Sequence, residues 1–336
     1  MEPSTPLSRA HSRLHASAAA SGPLPCREDE YAEIIAHIEG SILDEMGCCL
    51  YISGVPGTGK TATVKRVIKE LERRRDLDEA DPEKLPNFRF VEINGMRCSE
   101  PSAAYSALWE GMSGIKLAAR HAQARLEARF SLTRRKPVKE EEICVVLVDE
   151  LDLLVTRNQR ILYHFFEWPN RERSRLVVLA VANTMDLPER VMESKVSSRL
   201  GMTRINFQPY SHTQLHQIIS SRLSDVTGFD TEAVELCARK VGAVSGDARR
   251  ALDICRMAVE LAEMEVKERG GRLEDARVTI GLIHKAIRDM FATPAVACVR
   301  DAALQEKMFL TAFLKSLRRT GTGESTLGEV SNSMNF

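Results

Sequence analysis

Gly54-Val55-Pro56-Gly57-Thr58-Gly59-Lys60-Thr61 satisfies the pattern G-x-x-x-x-G-K-[S/T]. Glycines at these positions let backbone N–H groups turn inward around phosphate oxygens, and a following helix aims its positive end at the same anion. Lys60 can reach the β- and γ-phosphates, and the Thr61 hydroxyl can ligate Mg²⁺. Further along, Val145-Val146-Leu147-Val148 is an apolar run that ends in Asp149-Glu150. Ligands of open α/β sheets gather at the carboxyl ends of strands. There Asp149 would hold Mg²⁺, directly or through water, and Glu150 would orient and activate an attacking water. A third apolar run, Ala180-Val181-Ala182, closes on Asn183. Such an Asn is usually a turn residue; beside a phosphate loop and an acid pair it can help place the water. Asp152 is acidic as well, and a place at the site or at a helix N-terminus stays equally open for it.

These residues need strands to carry them. Cys48–Ser53 is a short apolar run ahead of the glycine loop, and Thr61–Leu71 has helical spacing. Residues 72–87 are polar with two prolines and read as a loop. Phe88–Ile93 alternates as a strand, residues 101–130 read as helix broken near Gly114, and residues 134–142 form a charge-dense connection. Cys144–Val148, Leu176–Ala182 and Arg204–Phe207 complete five strands. Fully apolar strands alternating with helices predict a parallel sheet covered on both faces. After Pro209 the strand signals stop. His212–Val226, Thr231–Val241, Asp247–Val266 and Thr279–Phe291 show helical spacing, and Leu304–Arg319 is a further amphipathic helix. The expected division is a disordered leader over 1–22, an α/β phosphate-loop core over 23–209, a helical lid over 210–300, and a partial terminal segment over 301–336. The Ala/Ser-rich leader is also compatible in composition with an organelle transit peptide.

Composition sets limits on the rest. The chain has 336 residues, 47 basic and 47 acidic side chains, and a formal net charge of zero. Bulk charge therefore gives no pull toward nucleic acid, and any such contact must come from local patches. The eight cysteines form no C-x-x-C pair, which argues against structural zinc and for buried free thiols. No apolar run approaches the roughly 18 residues that would cross a bilayer.

Taken together, GVPGTGKT, VLVDELDLL, ANTMDLPER, SSRLG and SGDARRALDICR resemble the AAA+ initiator ATPases of the origin recognition complex. The resemblance runs from about Pro25 to the end of the sequence. It implies a AAA+ fold that binds ATP with Mg²⁺, and slow hydrolysis by the chain alone. It also implies a nuclear place in a hetero-oligomeric ring around duplex DNA. The ring partners would be other origin recognition complex subunits and the paralogous helicase-loading ATPase. Such proteins usually carry an N-terminal bromo-adjacent homology domain and end in a winged helix, of which Leu304–Arg319 matches a first helix.

The resemblance also assigns roles. Arg249 matches a lid arginine that touches the γ-phosphate in its own chain. Bottom-up, a basic residue in the first turn of a helix opposes the helix dipole, so an anionic partner is a sensible reason for it. Arg199 matches an arginine finger that acts in trans on a neighbour's site, with Arg204 a lesser candidate. Pro25-Cys26-Arg27-Glu28 resembles the segment that folds over adenine. Pro25, Arg27, Val55, Pro56, Gly57, Thr58, Gly59, Lys60 and Thr61 thereby become the nucleotide-binding set. An initiator-specific helical insertion maps to residues 101–130, where Lys116, Arg120 and Arg125 are candidate contacts to DNA phosphates. Lys116 and Arg120 are spaced to share a helix face, as are His121 and Arg125. Three other readings stand beside this one. They are the paralogous helicase-loading ATPase itself, a scaffold that binds ATP without turning it over, and a clamp-loader subunit, which the cysteine pattern disfavours.

Overall fold

Alternation of buried strands with amphipathic helices produces a three-layer α/β unit, followed by helices alone. The computed structural model describes residues 6–15, 25–130, 142–155, 160–171, 174–185, 203–224, 226, 228–272, 276–291, 294–320 and 326–328. The strands are β1 (Cys48–Gly54), β2 (Phe88–Asn94), β3 (Ile143–Asp149), β4 (Leu176–Val181) and β5 (Thr203–Phe207). They form one parallel sheet in the order β2-β3-β4-β1-β5. Every residue of β3 and β4 is buried, as their unbroken apolar sequences require, whereas β2 at one edge alternates. The order matters for chemistry. β3, β4 and β1 are neighbours, so the residues that follow each of them emerge side by side at one end of the sheet.

The helices are α1 (Pro6–Arg13), α2 (Glu28–Leu43), α3 (Lys60–Arg75), α4 (Ala103–Ser113), α5 (Ala119–Arg129) and α6 (Arg160–Glu167). α7 (His212–Arg222), α8 (Thr231–Val244), α9 (Ala248–Glu268), α10 (Ile280–Phe291), α11 (Pro294–Asp301) and α12 (Leu304–Thr320) follow. On one face of the sheet, Ile34, Ile38 and Ile42 of α2 and Val64, Val67 and Leu71 of α3 cover Ile52, Val145 and Leu179. On the other, α4, α5 and α6 cover Tyr51, Val146 and Val178. A fully buried side chain of this size contributes roughly 1.5–3 kcal/mol by leaving water. These two layers are therefore what fix the sheet end that carries the site.

Three expectations change. The helix after the phosphate loop does not stop at Leu71 but runs to Arg75. Its last turn is held by one partner a turn back in the same helix and by two from other elements. Arg73 pairs with Glu70, Arg74 pairs with Glu39 of α2 through two hydrogen bonds of 2.8 and 2.6 Å, and Arg75 lies over the Phe88 ring. The Arg74 hydrogen bonds hold the Glu39 carboxyl below its ordinary pKa.

The second change concerns the leader. Residues 6–13 are helical, and Leu7, Ala10 and Leu14, spaced to share one face, are buried in the core formed by α7–α10. Arg222 also donates to the Arg13 carbonyl at 3.2 Å. A disordered leader over all of 1–22 is therefore wrong for these residues. Ala/Ser-rich composition hid a short apolar stripe whose partners lie far along the chain.

Third, the 101–130 segment breaks at Gly114 as expected, but the break extends over residues 114–118 and makes the segment a helical hairpin. Gly114 ends α4 with φ 73°, and residues 114–118 connect to α5. Lys116 lies in that connection, so helical spacing does not relate it to Arg120; His121 and Arg125 do lie together on α5. Lys116, Arg120 and Arg125 are all exposed. The hairpin is pinned to the sheet layer by Trp168, which donates to Glu127 at 2.8 Å, and by Arg171, which donates to Glu127 and to the Phe130 carbonyl.

Candidate functional site

The turn from β1 into α3 carries the phosphate loop. Gly57 and Gly59 have φ of 78° and 90°, a left-handed backbone that any side chain would strain. Space forbids a side chain there too. A Cβ on Gly59 would lie 2.7 Å from the Tyr210 hydroxyl, and one on Gly57 would strike the Asp247 carboxylate. Thr58 is fully buried, and its hydroxyl donates to the Val55 carbonyl. Lys60 is 6% exposed, and its ammonium donates to Gly54 O at 2.7 Å, Val55 O at 3.0 Å and Asn183 Oδ1 at 3.2 Å. Burial pushes the Lys60 pKa down, and the carboxylates of Glu150, Asp149 and Asp152 oppose that shift. A buried ammonium next to glycine N–H groups is a site prepared for anionic oxygens.

Beside the loop, Thr61 Oγ1 donates to Asp149 Oδ1 at 3.0 Å. A hydroxyl and a carboxylate oxygen at the end of β3 match what Mg²⁺ accepts from a protein. That ion prefers one or two hard oxygen ligands and takes the rest from phosphates and water. When bound, Mg²⁺ would neutralise phosphate charge at this point.

Glu150 follows in a left-handed conformation, φ 54° and ψ 48°. Strain of that kind in a non-glycine residue costs about 1–3 kcal/mol and concentrates at functional sites. Its Oε2 accepts from Asn183 Nδ2 at 2.9 Å. Asn183 thus bridges Lys60 and Glu150 through the two ends of its amide. Its own place is set by Asp152, which accepts from the Asn183 N–H at 2.6 Å and from the Thr184 hydroxyl at 2.8 Å. That settles the open question over Asp152: it braces the end of β4. The spacing Asp149-Glu150-x-Asp152 was visible in the sequence, but its partner on a neighbouring strand was not.

The structure brings Pro56, Gly57, Thr58, Gly59, Lys60, Thr61, Asp149, Glu150, Asn183 and Arg249 around one cleft. Pro25, Arg27 and Val55 are not among its lining residues. Arg27 is 4% exposed and its guanidinium is committed elsewhere. It donates to Thr58 O at 3.1 Å and to Gln208 O, pairs with Glu30, and sits 4.1 Å above the Tyr210 ring. It holds the phosphate loop from behind, a role that composition and motif could not disclose. Lys116, Arg120 and Arg125 lie on the α4–α5 hairpin, apart from the cleft lining. Arg199 lies outside the described residues.

Comparison with known proteins agrees with this geometry. Residues 50–204 match the family model "ATPase family associated with various cellular activities (AAA)", and residues 210–266 match "Cdc6/ORC-like, ATPase lid domain". The chain is 48% identical over 332 residues to origin recognition complex subunit 1 of Schizosaccharomyces pombe, covering 97% of this chain and 44% of that protein. To the human protein of the same name it is 45% identical over 329 residues, covering 98% of this chain and 37% of that one. A chain in the structure of Drosophila ORC bound to DNA superposes with a TM-score of 0.76 at 42% identity, over 99% of this chain and 78% of that one. The chain belongs to the origin recognition complex subunit 1 family of AAA+ ATPases. It spans less than half the length of these curated relatives. Membership explains the two-part layout, in which a AAA sheet presents the loop and a lid of the Cdc6/ORC-like kind supplies Arg249 from α9. No helix among the described residues is long and apolar enough to cross a membrane.

Proposed function

We propose that this chain is the ATP-binding and ATP-hydrolysing module of an origin recognition complex subunit. It acts in the nucleus within a hetero-oligomeric ring that binds origin DNA and supports loading of the replicative helicase. The observation that carries the reading is the linked set Thr61–Asp149 and Lys60–Asn183–Glu150 beneath Arg249. ATP would place its phosphates on the loop, with Lys60 at the β- and γ-oxygens and Mg²⁺ between Thr61 and Asp149. Glu150 takes a proton from the attacking water, Asn183 places that water, and Arg249 meets the γ-phosphate from the lid. The segment Pro25–Glu28 would flank the adenine, with Arg27 bracing the loop through the Thr58 carbonyl.

Arg199 of this chain completes a neighbour's site, and a neighbour's arginine completes this one. Without that arginine the charge developing on the terminal phosphate lacks its partner, so the isolated chain turns over slowly. ATP turnover by the chain alone, and then with partner subunits and duplex DNA, tests the assignment. Turnover that rises on assembly supports it. Turnover that is absent in every combination returns the protein to the class of scaffolds that bind ATP without hydrolysis.

For DNA, the exposed hairpin supplies Lys116, Arg120 and Arg125 as contacts to phosphates. Neutralising all three should weaken binding without changing sequence preference. It should also flatten the dependence of log K on log salt by up to about 3, at roughly 0.9 per phosphate contact. Fluorescence anisotropy across a salt series checks this. An unchanged slope removes the hairpin from the interface.

A further inference from the structure

The N-terminus of α9 meets the phosphate loop at Gly57. Asp247 is the residue before the helix, with φ −90° and ψ 111°, and its Oδ1 accepts from the Arg249 N–H at 2.8 Å. A Cβ on Gly57 would lie 1.7 Å from that same oxygen, so the carboxylate rests directly over the Gly57 Cα. Next to it, the Ala248 N–H donates to Gly57 O at 3.2 Å. One residue earlier, Gly246 has φ 61°, and its carbonyl accepts from Tyr210 N, which fixes the turn to the hinge between β5 and α7. The Arg249 side chain is exposed. It lines the cleft, and the start of its helix is held by the Asp247 carboxylate.

We propose that Asp247 is a positioning residue: it caps α9 and seats that helix on Gly57, so that Arg249 is delivered to the terminal phosphate. This rests on the reading of Arg249 as the γ-phosphate arginine. Asp247 itself is not among the residues that line the cleft. An aspartate here also explains why the second glycine of the loop must lack a side chain, independently of phosphate binding: the lid occupies the space.

The test is equilibrium binding of fluorescent ATP and ADP to this chain, which needs no turnover. Five forms are compared: wild type, Asp247→Ala, Asp247→Asn, Arg249→Ala, and Asp247→Ala with Arg249→Ala. Helical circular dichroism confirms that each lid is folded. Asp247→Ala should lower the preference for ATP over ADP about fivefold, the usual scale of a lost helix cap, with ADP affinity nearly unchanged. Asp247→Asn keeps the acceptor and should stay within about twofold of wild type, since Asn caps as well as Asp. In the Arg249→Ala background, Asp247→Ala should change the preference no further, because both act through one contact. Equal losses for ATP and ADP, failure of Asn to rescue, or additive effects of the two substitutions would overturn the proposal. If Arg249→Ala lowers the preference and Asp247→Ala does not, only the positioning role fails. If Arg249→Ala leaves it unchanged, the reading of Arg249 fails and the positioning role falls with it.

Discussion

Glu150→Gln should slow ATP turnover by about 10²–10⁴-fold, the usual contribution of a general base, while ATP stays bound. Gln has the shape of Glu but cannot take the proton. Its carbonyl oxygen can still accept from Asn183 Nδ2, now 2.9 Å from Glu150 Oε2, so the Lys60–Asn183 bridge survives. The left-handed backbone at position 150 is unaffected, since Gln there carries the same strain as Glu. Single-turnover measurements in the assembled complex give the rate, and titration of a fluorescent ATP analogue gives the affinity. The expected pattern is a loss confined to the rate. A parallel loss of binding would mean that Glu150 holds the pocket together rather than activating water.

Arg199→Ala should have an effect as large, but on another subunit. An arginine supplied in trans to developing phosphoryl charge is worth roughly 10³–10⁵ in rate. The substitution should leave ATP hydrolysis at this chain's own site intact and slow the neighbouring site about 10³-fold. Mixing assigns the effect. Arg199→Ala is combined with a neighbour whose phosphate loop is inactive, and separately with a competent neighbour. The defect should show only with the competent one, whereas Arg249→Ala should show its defect in both. If Arg199→Ala abolishes ATP binding by the isolated chain, Arg199 belongs to this chain's own pocket and the shared-site mechanism fails.

The parts of the site that could be read in advance are those written within a few consecutive residues. The loop from Gly54 to Thr61, the Asp149-Glu150 pair and Asn183 each sit at the end of an apolar strand, and strand hydrophobicity is a local signal. All five strands were legible for the same reason. What escaped depends on contacts between distant segments. Arg27 reads as an adenine-side residue, yet burial against Tyr210 and the Thr58 carbonyl turns it into a brace for the loop. Asp247 looks like an ordinary helix cap until Gly57 is found beneath it. Leu7, Ala10 and Leu14 are too few to announce a helix, and they become one by packing into the core of α7–α10. Lys116 has helical spacing from Arg120, but Gly114 ends α4 and leaves Lys116 in a connection.

If this cleft binds ATP through Lys60, equilibrium titration with a fluorescent ATP analogue in Mg²⁺ separates wild type from Lys60→Ala. Lys60 is the buried cation on the loop, and removing one partner of a buried charge pair costs about 3–5 kcal/mol. At 1.4 kcal/mol per factor of ten, affinity should fall by roughly 10²- to 4 × 10³-fold. Should Lys60→Ala bind the analogue as tightly as wild type, the phosphate-loop assignment, and every role built upon it, would be wrong.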